Sequence, residues 1–467
     1  MGSDDEGMPA PSLRPPRSLL LVLLASLLLK LGLLFAIGDI APVRDERRYR
    51  EVGISIAAGE GLKYTNKFWD DLHSPPLYPF LMGLVTWLGG GPFEVKLLQV
   101  FLSTLGAWFL YLLARRWLDA RTALWSAALV AFYPTLVAFT HYNWNETVFL
   151  FLFLASLLAL FRPDGTPARP KRMLGAGLLL GLTALCRAEL AYWLPLALAW
   201  IVWVERRPRA LAQCGALLGG VVLAMLPWWI YVERHYDGFV LVSTGESSMW
   251  HFSYNAYPPD TNDLGMSGEE GLDRDAYRAD ARPKVRDQDP IRRAAREKEL
   301  GLQFARENPG LVLERFGTRI ALLLYPTSFL ARHVALDYYT RGPTGEVVRE
   351  PFARSTKVAV VWLTLLSYVG LSWLGVLGWA GLPRSPARTL VLLTCAYFLA
   401  VYGMAYAVTR YRLVLVPLLA VGAGWALAHP RDLWRSLRRP RVALGAALTS
   451  AALLFIWTRY LDRIWIE

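Results

Sequence analysis

Apolar runs of about 20 residues recur along most of this 467-residue chain, and short polar segments separate them. A run of that length crosses a bilayer as an α-helix, whereas a membrane β-barrel would show short alternating strands. The pattern therefore predicts an all-α polytopic membrane protein. The predicted spans cover residues 19–38, 94–117, 121–140, 143–161, 173–188, 190–204, 211–231, 357–380, 388–408, 411–428 and 442–459.

Arginine-rich connections between these runs set the predicted orientation. Four of them mark the cytoplasmic face under the positive-inside rule, at residues 115–121, 162–172, 205–209 and 431–441. Arg14 and Arg17 place the N-terminus on the same face. All of these segments fall on the cytoplasmic face if the ambiguous apolar segments 77–90 and 311–330 lie along the outer face or dip into it without crossing the membrane. The prediction is then about eleven transmembrane helices.

The polar segments indicate how the chain is organised around one transmembrane domain. Residues 1–18 are rich in Pro, Gly and charge, which predicts a disordered cytoplasmic N-terminus. The transmembrane domain covers 19–459, and a short C-terminal tail covers 460–467. Two large loops on the extracytoplasmic face are expected to carry juxtamembrane helices, at residues 39–93 and 232–356. Within the second loop, residues 291–308 have the mixed charge of a solvated surface helix.

Composition narrows the class of function. Hydrophobic residues make up 54% of the chain, more than a soluble protein of this length normally has. The formal net charge is +12, but the arginines cluster in short loops, so no nucleic-acid partner is expected. The three cysteines, Cys186, Cys214 and Cys395, form no Cys-x-x-Cys pair. They are therefore expected to be inert membrane thiols.

A dense cluster of mixed charge, Asp45-Glu46-Arg47-Arg48-Tyr49, follows the first span. On a helix, Asp45, Arg48 and Tyr49 share one face because they are three and four positions apart. An arginine can clamp a phosphate, and a neighbouring carboxylate can accept a proton from an attacking hydroxyl. The alternative is a solvated surface helix with an internal ion pair.

Two further segments belong to the same predicted face. His73 precedes Pro75-Pro76, which form a rigid elbow, and it is either a ligand for phosphate or metal or a bystander. His141 begins the motif His-Tyr-Asn-Trp-Asn-Glu, which ends at Glu146 at the start of a span. An ionisable group in that position is costly and usually faces the protein interior. Glu146 is therefore a candidate functional residue.

Two arginine motifs complete the set of candidates. Arg187 and Glu189 are two positions apart between two short spans, so they are expected at a turn, with structural pairing as the alternative to function. Arg410-Tyr411-Arg412 falls on the outer face, where positive-inside counting disfavours arginines. A lipid phosphate or pyrophosphate is the natural anion for them, and interfacial snorkelling is the alternative.

Together these motifs resemble the GT-C superfamily of membrane glycosyltransferases. The likeness is closest to the dolichyl-phosphate-mannose protein mannosyltransferase and aminoarabinose lipid A transferase group, including its bacterial members. It covers about residues 20–430, and it depends on the order of motifs that are individually weak. These are residues 45–49, Ala57-Ala58-Gly59, residues 74–79, Tyr133-Pro134 followed by Glu146, residues 182–189, Pro227-Trp228-Trp229 leading to 238–244, and Arg410-Tyr411-Arg412-Leu413 to Pro417.

The resemblance implies an integral membrane glycosyltransferase that moves a hexose or pentose from a polyprenyl-phosphate donor. The implied acceptor is an envelope lipid, glycan or protein on the extracytoplasmic side of a bacterial inner (plasma) membrane. Asp45 would be the general base of an inverting displacement, with Glu46 and Glu146 beside it. The implied ligands of the donor phosphate are Arg48, Arg410, Arg412 and His73. The implied substrate pocket contains Tyr49, His141, Tyr411, Arg187 and Glu189.

The sequence also departs from this family pattern. The family usually has Arg-Asn after Pro-Trp, whereas residues 231–234 here read Tyr-Val-Glu-Arg. Ser74, preceded by His73, stands where the aminoarabinose transferases have a lysine before Pro-Pro. No metal site is assigned, although a divalent metal held by His73 and a carboxylate stays open. The alternative functions are a lipid-linked glycan polymerase or ligase, and a transporter or flippase, which typically shows internal repeats.

Overall fold

The computed structural model describes residues 16–38, 45–64, 71–255, 289–335 and 350–458. The predicted disordered N-terminus (apart from residues 16–18) and the predicted tail at 460–467 lie outside these residues. The first half of the chain forms ten α-helices in the described ranges. They are α1 (Arg17–Ile37), α2 (Asp45–Ala57), α3 (Leu77–Trp87), α4 (Pro92–Ala114), α5 (Ala120–Ala131), α6 (Pro134–Phe139), α7 (Glu146–Leu160), α8 (Pro170–Cys186), α9 (Leu194–Val204) and α10 (Arg209–His235).

The second half adds nine α-helices in the described ranges. They are α11 (Gly245–Ser253), α12 (Pro290–Glu307), α13 (Pro309–Leu323), α14 (Phe329–Ala335), α15 (Arg354–Gly381), α16 (Pro386–Met404), α17 (Leu415–Ala428), α18 (Pro430–Leu437) and α19 (Pro440–Thr458). Short 3-10 helices precede α9 and α17, at Ala188–Trp193 and Tyr411–Val414.

This architecture confirms the all-α fold class, because every predicted apolar run is helical over most of its length. Seven helices in the described part are long and apolar enough to cross a membrane. They are α1, α4, α10, α15, α16, α19, and α17 together with its preceding 3-10 turn. The chain is therefore a multi-pass membrane protein. The remaining four runs form shorter or interrupted helices, so the count of eleven spans stays a prediction.

Prolines account for the main differences between the predicted spans and the observed helices. The predicted span 121–140 is two helices, because Tyr133 is extended (φ −64°, ψ 116°) before Pro134. Pro195 and Pro417, where kinks were expected, lie in the first turns of α9 and α17, directly after the 3-10 segments. Pro227 lies inside the continuous helix α10. Proline is thus used here mainly to begin helices.

Polar contacts of ionisable side chains join the helices at the end opposite the C-terminal end of α1. Asp119 caps α5 by accepting hydrogen bonds from the backbone N–H groups of Arg121 and Thr122, at 2.8 Å and 3.1 Å. Its second carboxylate oxygen lies 2.8 Å from Nε2 of His429, at the end of α17. On the same end, a guanidinium nitrogen of Arg162 lies 3.2 Å from the Glu205 carboxylate. These contacts join the cytoplasmic ends predicted from the arginine-rich connections.

Glycines allow two pairs of long helices to pack with their backbones in contact. A methyl group on Gly378 of α15 would collide with the carbonyl oxygen of Gly422 on α17. A methyl group on Gly177 of α8 would collide in the same way with the Leu217 carbonyl on α10. Because lipid supplies no hydrophobic force between helices, such close contact is a principal source of association.

The packing of α15 on α17 gives a direct test of this contribution. Gly378→Ala is expected to lower the free energy of unfolding by about 1–3 kcal/mol, because its methyl group meets a backbone carbonyl and the helices must separate. Gly370 lies on the same helix with no atom within 4 Å of the position of a Cβ. Gly370→Ala should therefore be neutral or slightly stabilising. Titration of both variants with SDS measures the difference, and equal losses would contradict the packing argument.

Candidate active site

Four distant parts of the chain meet at the C-terminal end of α1 and form a cluster of charged side chains. They are the start of α2, the start of α7, the turn after α8, and the 3-10 turn before α17. Asp45 and Glu46 lie in the first turn of α2, and Glu146 is the first residue of α7. Carboxylates are favoured in such positions by the partial positive charge at a helix N-terminus. Helix ends therefore hold the acidic groups of the cluster.

Asp45 is shared by two guanidinium groups. One oxygen of its carboxylate lies 2.6 Å from an Nη atom of Arg410, and the other lies 3.4 Å from an Nη atom of Arg48. The pairing of Asp45 with Arg48 follows the helical spacing of three positions that the sequence predicts. The side chains of Asp45, Arg48 and Arg410 keep exposures of 23%, 17% and 19%, so a ligand can reach all three.

Glu146 lies deeper in the same cluster. Its Oε1 lies 3.3 Å from a guanidinium nitrogen of Arg187 and 3.7 Å from Nε of Arg410. Its Oε2 is buried and has no hydrogen-bond partner among the residues that the structure describes. A buried oxygen without a partner carries a desolvation cost that an incoming hydroxyl group can relieve. Glu146 therefore combines charge balance for two arginines with one free acceptor.

Arg187 and Glu189 extend the cluster toward α16. Nε of Arg187 donates to Oε1 of Glu189 at 2.7 Å, and the hydroxyl of Tyr402 donates to the same oxygen at 3.0 Å. The guanidinium of Arg187 also lies over the rings of Phe149 and Tyr411, at 5.3 Å and 4.8 Å. The pair stands at a turn, as predicted, where the 3-10 helix Ala188–Trp193 begins. Both groups are held on several sides, so their positions are well defined.

The ion pairs of the cluster join three guanidinium groups to three carboxylates. The arginines are Arg48, Arg187 and Arg410, and the acidic partners are Asp45, Glu146 and Glu189. Burial disfavours the charged form of Arg48 and Arg410, but Asp45 and the other neighbouring acidic and phenolic groups together outweigh it, so the pKa of each guanidinium is raised. Burial also raises the pKa of Tyr49, whose phenol therefore stays protonated. Arg48 and Arg410 thus stay protonated at a partly accessible surface, with the carboxylates balancing their charge.

Glu46, the second predicted catalytic acid, is almost completely buried. Its Oε1 accepts the backbone N–H of Asn143 at 2.5 Å. The side chain thus joins α2 to the connection between α6 and α7, just before Glu146. This geometry favours a structural contribution, and a catalytic role for Glu46 stays a prediction.

Arg412 does not join the cluster with Arg410. Its guanidinium donates to the backbone carbonyls of Tyr325 and Thr327, in the turn between α13 and α14. It also lies 3.7 Å from the ring centroid of Tyr368. These contacts use the guanidinium to hold a turn, so Arg412 is not part of the anion site that we describe.

Contacts outside the ion-pair cluster are seen for the two predicted histidines. His73 packs against Gly245 at the start of α11, where a methyl group on the glycine would lie 3.4 Å from Nδ1 of the ring. Nε2 of His141 lies 3.0 Å from the backbone oxygen of Lys30, and the ring is buried against α1. His141 is thus placed for packing. The phosphate role of His73 stays a prediction.

Sequence reasoning missed one functional neighbour of the cluster, Trp144. The guanidinium of Arg410 lies 4.8 Å from the centroid of its ring. The sequence motif 141–146 explains Trp144 as an interfacial aromatic residue, and only its place two residues before Glu146 signals more. Among the described residues, no group of three or more His, Cys, Asp or Glu side chains is arranged to hold a metal ion.

The deep position of Glu146 predicts a large effect on stability. Glu146→Gln leaves Arg187 buried with less compensating charge, so the free energy of unfolding should fall by roughly 3–5 kcal/mol. Glu299, which pairs with the exposed Arg296 on α12, is a control in an exposed ion pair, and Glu299→Gln should cost no more than about 1 kcal/mol. SDS titration measures both. Equal losses in the free energy of unfolding would show that the buried ion pairs of the cluster contribute no more to stability than the control pair does.

The fold and the charged cluster belong to a multi-pass membrane protein, and comparison with known proteins relates part of it to a glycosyltransferase family. Residues 73–231 match the family model described as dolichyl-phosphate-mannose-protein mannosyltransferase. This match confirms the resemblance to membrane glycosyltransferases that the sequence motifs indicate. The matched residues include Glu146, Arg187 and Glu189, whereas Asp45 and Arg410 lie outside them. A search of curated protein sequences gives no significant match.

Solved structures share the fold at low sequence identity. One is the archaeal oligosaccharyltransferase AglB from Archaeoglobus fulgidus in complex with an inhibitory peptide and a dolichol-phosphate, at 16% identity and a TM-score of 0.50. The match covers 94% of this chain and 55% of that structure, so the chain spans about half its length. ArnT from Cupriavidus metallidurans, bound to undecaprenyl phosphate, matches at 14% identity and a TM-score of 0.47 over 93% of this chain and 63% of its own.

Proposed function

We propose that the protein is a membrane glycosyltransferase that moves a sugar from a polyprenyl-phosphate donor to an acceptor on the extracytoplasmic face. The observation that carries this proposal is the partly exposed Asp45 carboxylate, shared by Arg48 and Arg410 beside the free oxygen of Glu146. A base, a phosphate clamp and an acceptor site are the groups that such a transfer needs. The GT-C fold and the match at residues 73–231 support the same reaction class.

The donor phosphate would be held by the two arginines that now contact Asp45. Guanidinium groups bind carboxylates and phosphates with the same fork geometry, so a phosphate can replace the carboxylate as their partner. Arg48 and Arg410 come from distant parts of the chain and contact different oxygens of the Asp45 carboxylate, which suits two oxygens of one phosphate. Binding of the donor would then release Asp45 toward the acceptor hydroxyl.

The chemical step conserves charge within the site. Asp45 takes the proton of the acceptor hydroxyl, whose oxygen forms a bond to the anomeric carbon. The bond from that carbon to the phosphate oxygen breaks, and its electron pair leaves with the polyprenyl phosphate. The carboxylate loses one negative charge as the phosphate gains one, and Arg48 and Arg410, which contact Asp45, would also contact the phosphate. Displacement from the face opposite the phosphate inverts the anomeric centre.

Glu146 would act in this reaction on the acceptor. Its free Oε2 can accept a hydrogen bond from a hydroxyl group, and its Oε1 is fixed by Arg187. Because the N-terminus of α7 and two arginines neutralise its charge, it is suited to orient the acceptor while Asp45 takes the proton. The acceptor class that we propose is an envelope lipid, glycan or protein at a bacterial inner membrane.

The products of the reaction distinguish this function from its rivals. Purified protein in vesicles would be given labelled polyprenyl-phosphate hexoses and pentoses with an envelope extract. We expect the label in the extract together with free polyprenyl phosphate. A polymerase or ligase that uses lipid pyrophosphates would release polyprenyl pyrophosphate, and a flippase would move the donor across the bilayer intact. Either of those results would contradict the proposal.

A further inference from the structure

Aromatic side chains form a continuous column behind Arg410. The guanidinium lies over the ring of Trp144, with its carbon 4.8 Å from the ring centroid. The Trp144 ring is in turn stacked on Tyr142, with centroids 4.9 Å apart and an interplanar angle of 19°. Cation–π contact holds a guanidinium flat against an aromatic face, so the column limits the orientations of Arg410. Both rings are buried.

The far end of the column is bound to α14, in the second large loop. The Tyr142 hydroxyl lies 2.9 Å from Nδ1 of His333, which is buried. The His333 ring packs against Phe329 one turn earlier on α14, with centroids 3.9 Å apart. A hydrogen bond between two buried groups has little competition from water, so it can fix the Tyr142 ring and the stack above it.

Arg412 connects the same loop back to the motif that carries Arg410. Its guanidinium holds the carbonyls of Tyr325 and Thr327, in the turn that leads into α14. The two arginines of the motif thus contact different parts of the protein. Arg410 lies on one end of the column, and Arg412 fixes the turn from which the other end, His333, is held.

We propose that His333 and Tyr142 are positioning residues that orient Arg410 through Trp144, and thereby set the affinity for the donor phosphate. The inference rests on the proposed function, because it assigns the phosphate to Arg410. When the hydrogen bond is absent, the rings can rotate and the guanidinium samples more orientations. Each productive contact with a phosphate is then formed less often, and affinity falls although no group that touches the phosphate has changed.

The test measures binding of undecaprenyl phosphate to the full-length protein in nanodiscs. Tyr142→Phe and His333→Phe should each weaken binding about fivefold, the usual effect of one neutral hydrogen bond. The double variant should lose no more than either single variant, because both remove the same bond. His333→Gln keeps a side-chain amide near the hydroxyl and should recover most of the affinity. In an Arg410→Ala background, Tyr142→Phe should have no further effect.

A control variant and two contradicting results complete the test. His429, which contacts Asp119 at the other end of α17, offers a matched histidine variant, and His429→Gln should bind undecaprenyl phosphate normally. Unchanged affinity in Tyr142→Phe and His333→Phe, or equal losses with and without Arg410, would overturn the proposal. These results are independent of whether Asp45→Asn abolishes transfer, so failure of the positioning network is distinguishable from failure of the glycosyltransferase assignment.

Discussion

Asp45→Asn is expected to reduce the rate of sugar transfer by about 10³-fold while leaving the protein folded in the membrane. A positioned general base typically contributes 10²- to 10⁴-fold, and asparagine has the shape of aspartate but cannot take the proton. Its amide oxygen can still accept from Arg410, so the helices should keep their positions. Transfer from a polyprenyl-phosphate sugar in reconstituted vesicles measures the loss.

The same variant separates chemistry from donor binding. Removing the carboxylate charge frees Arg48 and Arg410 for phosphate, so the affinity of Asp45→Asn for undecaprenyl phosphate should be retained or increased. Asp119 caps α5 at the opposite end of the bundle. Asparagine is an equally good helix cap, so Asp119→Asn should transfer sugar normally. Full activity in Asp45→Asn would remove it from the mechanism.

Arg410→Ala is expected to reduce kcat/KM for the donor by about 10²- to 10³-fold. Removal of one preorganised donor to developing negative charge typically has an effect of that size. Arg410→Lys should recover only part of the loss, because an ammonium group cannot bind a phosphate in two places or lie flat on Trp144. The affinity for undecaprenyl phosphate should fall together with the rate.

Arg162 provides the matched control for Arg410. Its guanidinium is also paired with a glutamate, but at the end of α7 remote from Glu146. Arg162→Ala should retain the donor affinity and the transfer rate, apart from a modest loss of stability. If both variants lost activity equally, general destabilisation would explain the effect and Arg410 would have no particular role at the phosphate.

The parts of the site that the sequence predicts correctly depend on local geometry. Asp45 and Arg48 are three positions apart on one helix, so their ion pair follows from helical spacing alone. The burial of Glu146 follows from the cost of an ionisable group at the start of an apolar run. In both cases the relevant physical constraint acts within a few residues.

The parts that were not predicted depend on turns and distant contacts. Arg410 and Arg412 look equivalent in sequence, but the 3-10 geometry between them rotates the chain by about 120° per residue and sends their side chains to different places. The contact of Tyr142 with His333 joins residues 191 positions apart. The break at Tyr133 has a local signal in Pro134, which the apolar character of the run outweighed in the prediction.

The separation of Asp45 from Arg410 also sets when the protein can first work during its own synthesis. The two residues are 365 positions apart, so at ordinary ribosomal speeds about 20–70 s pass between their additions to the chain. During that interval Asp45 has only Arg48 as a partner from the pair that we assign to the phosphate. If Asp45 and Arg410 act together as we propose, a nascent chain cannot use the lipid-linked donor until the segment that begins α17 has been inserted.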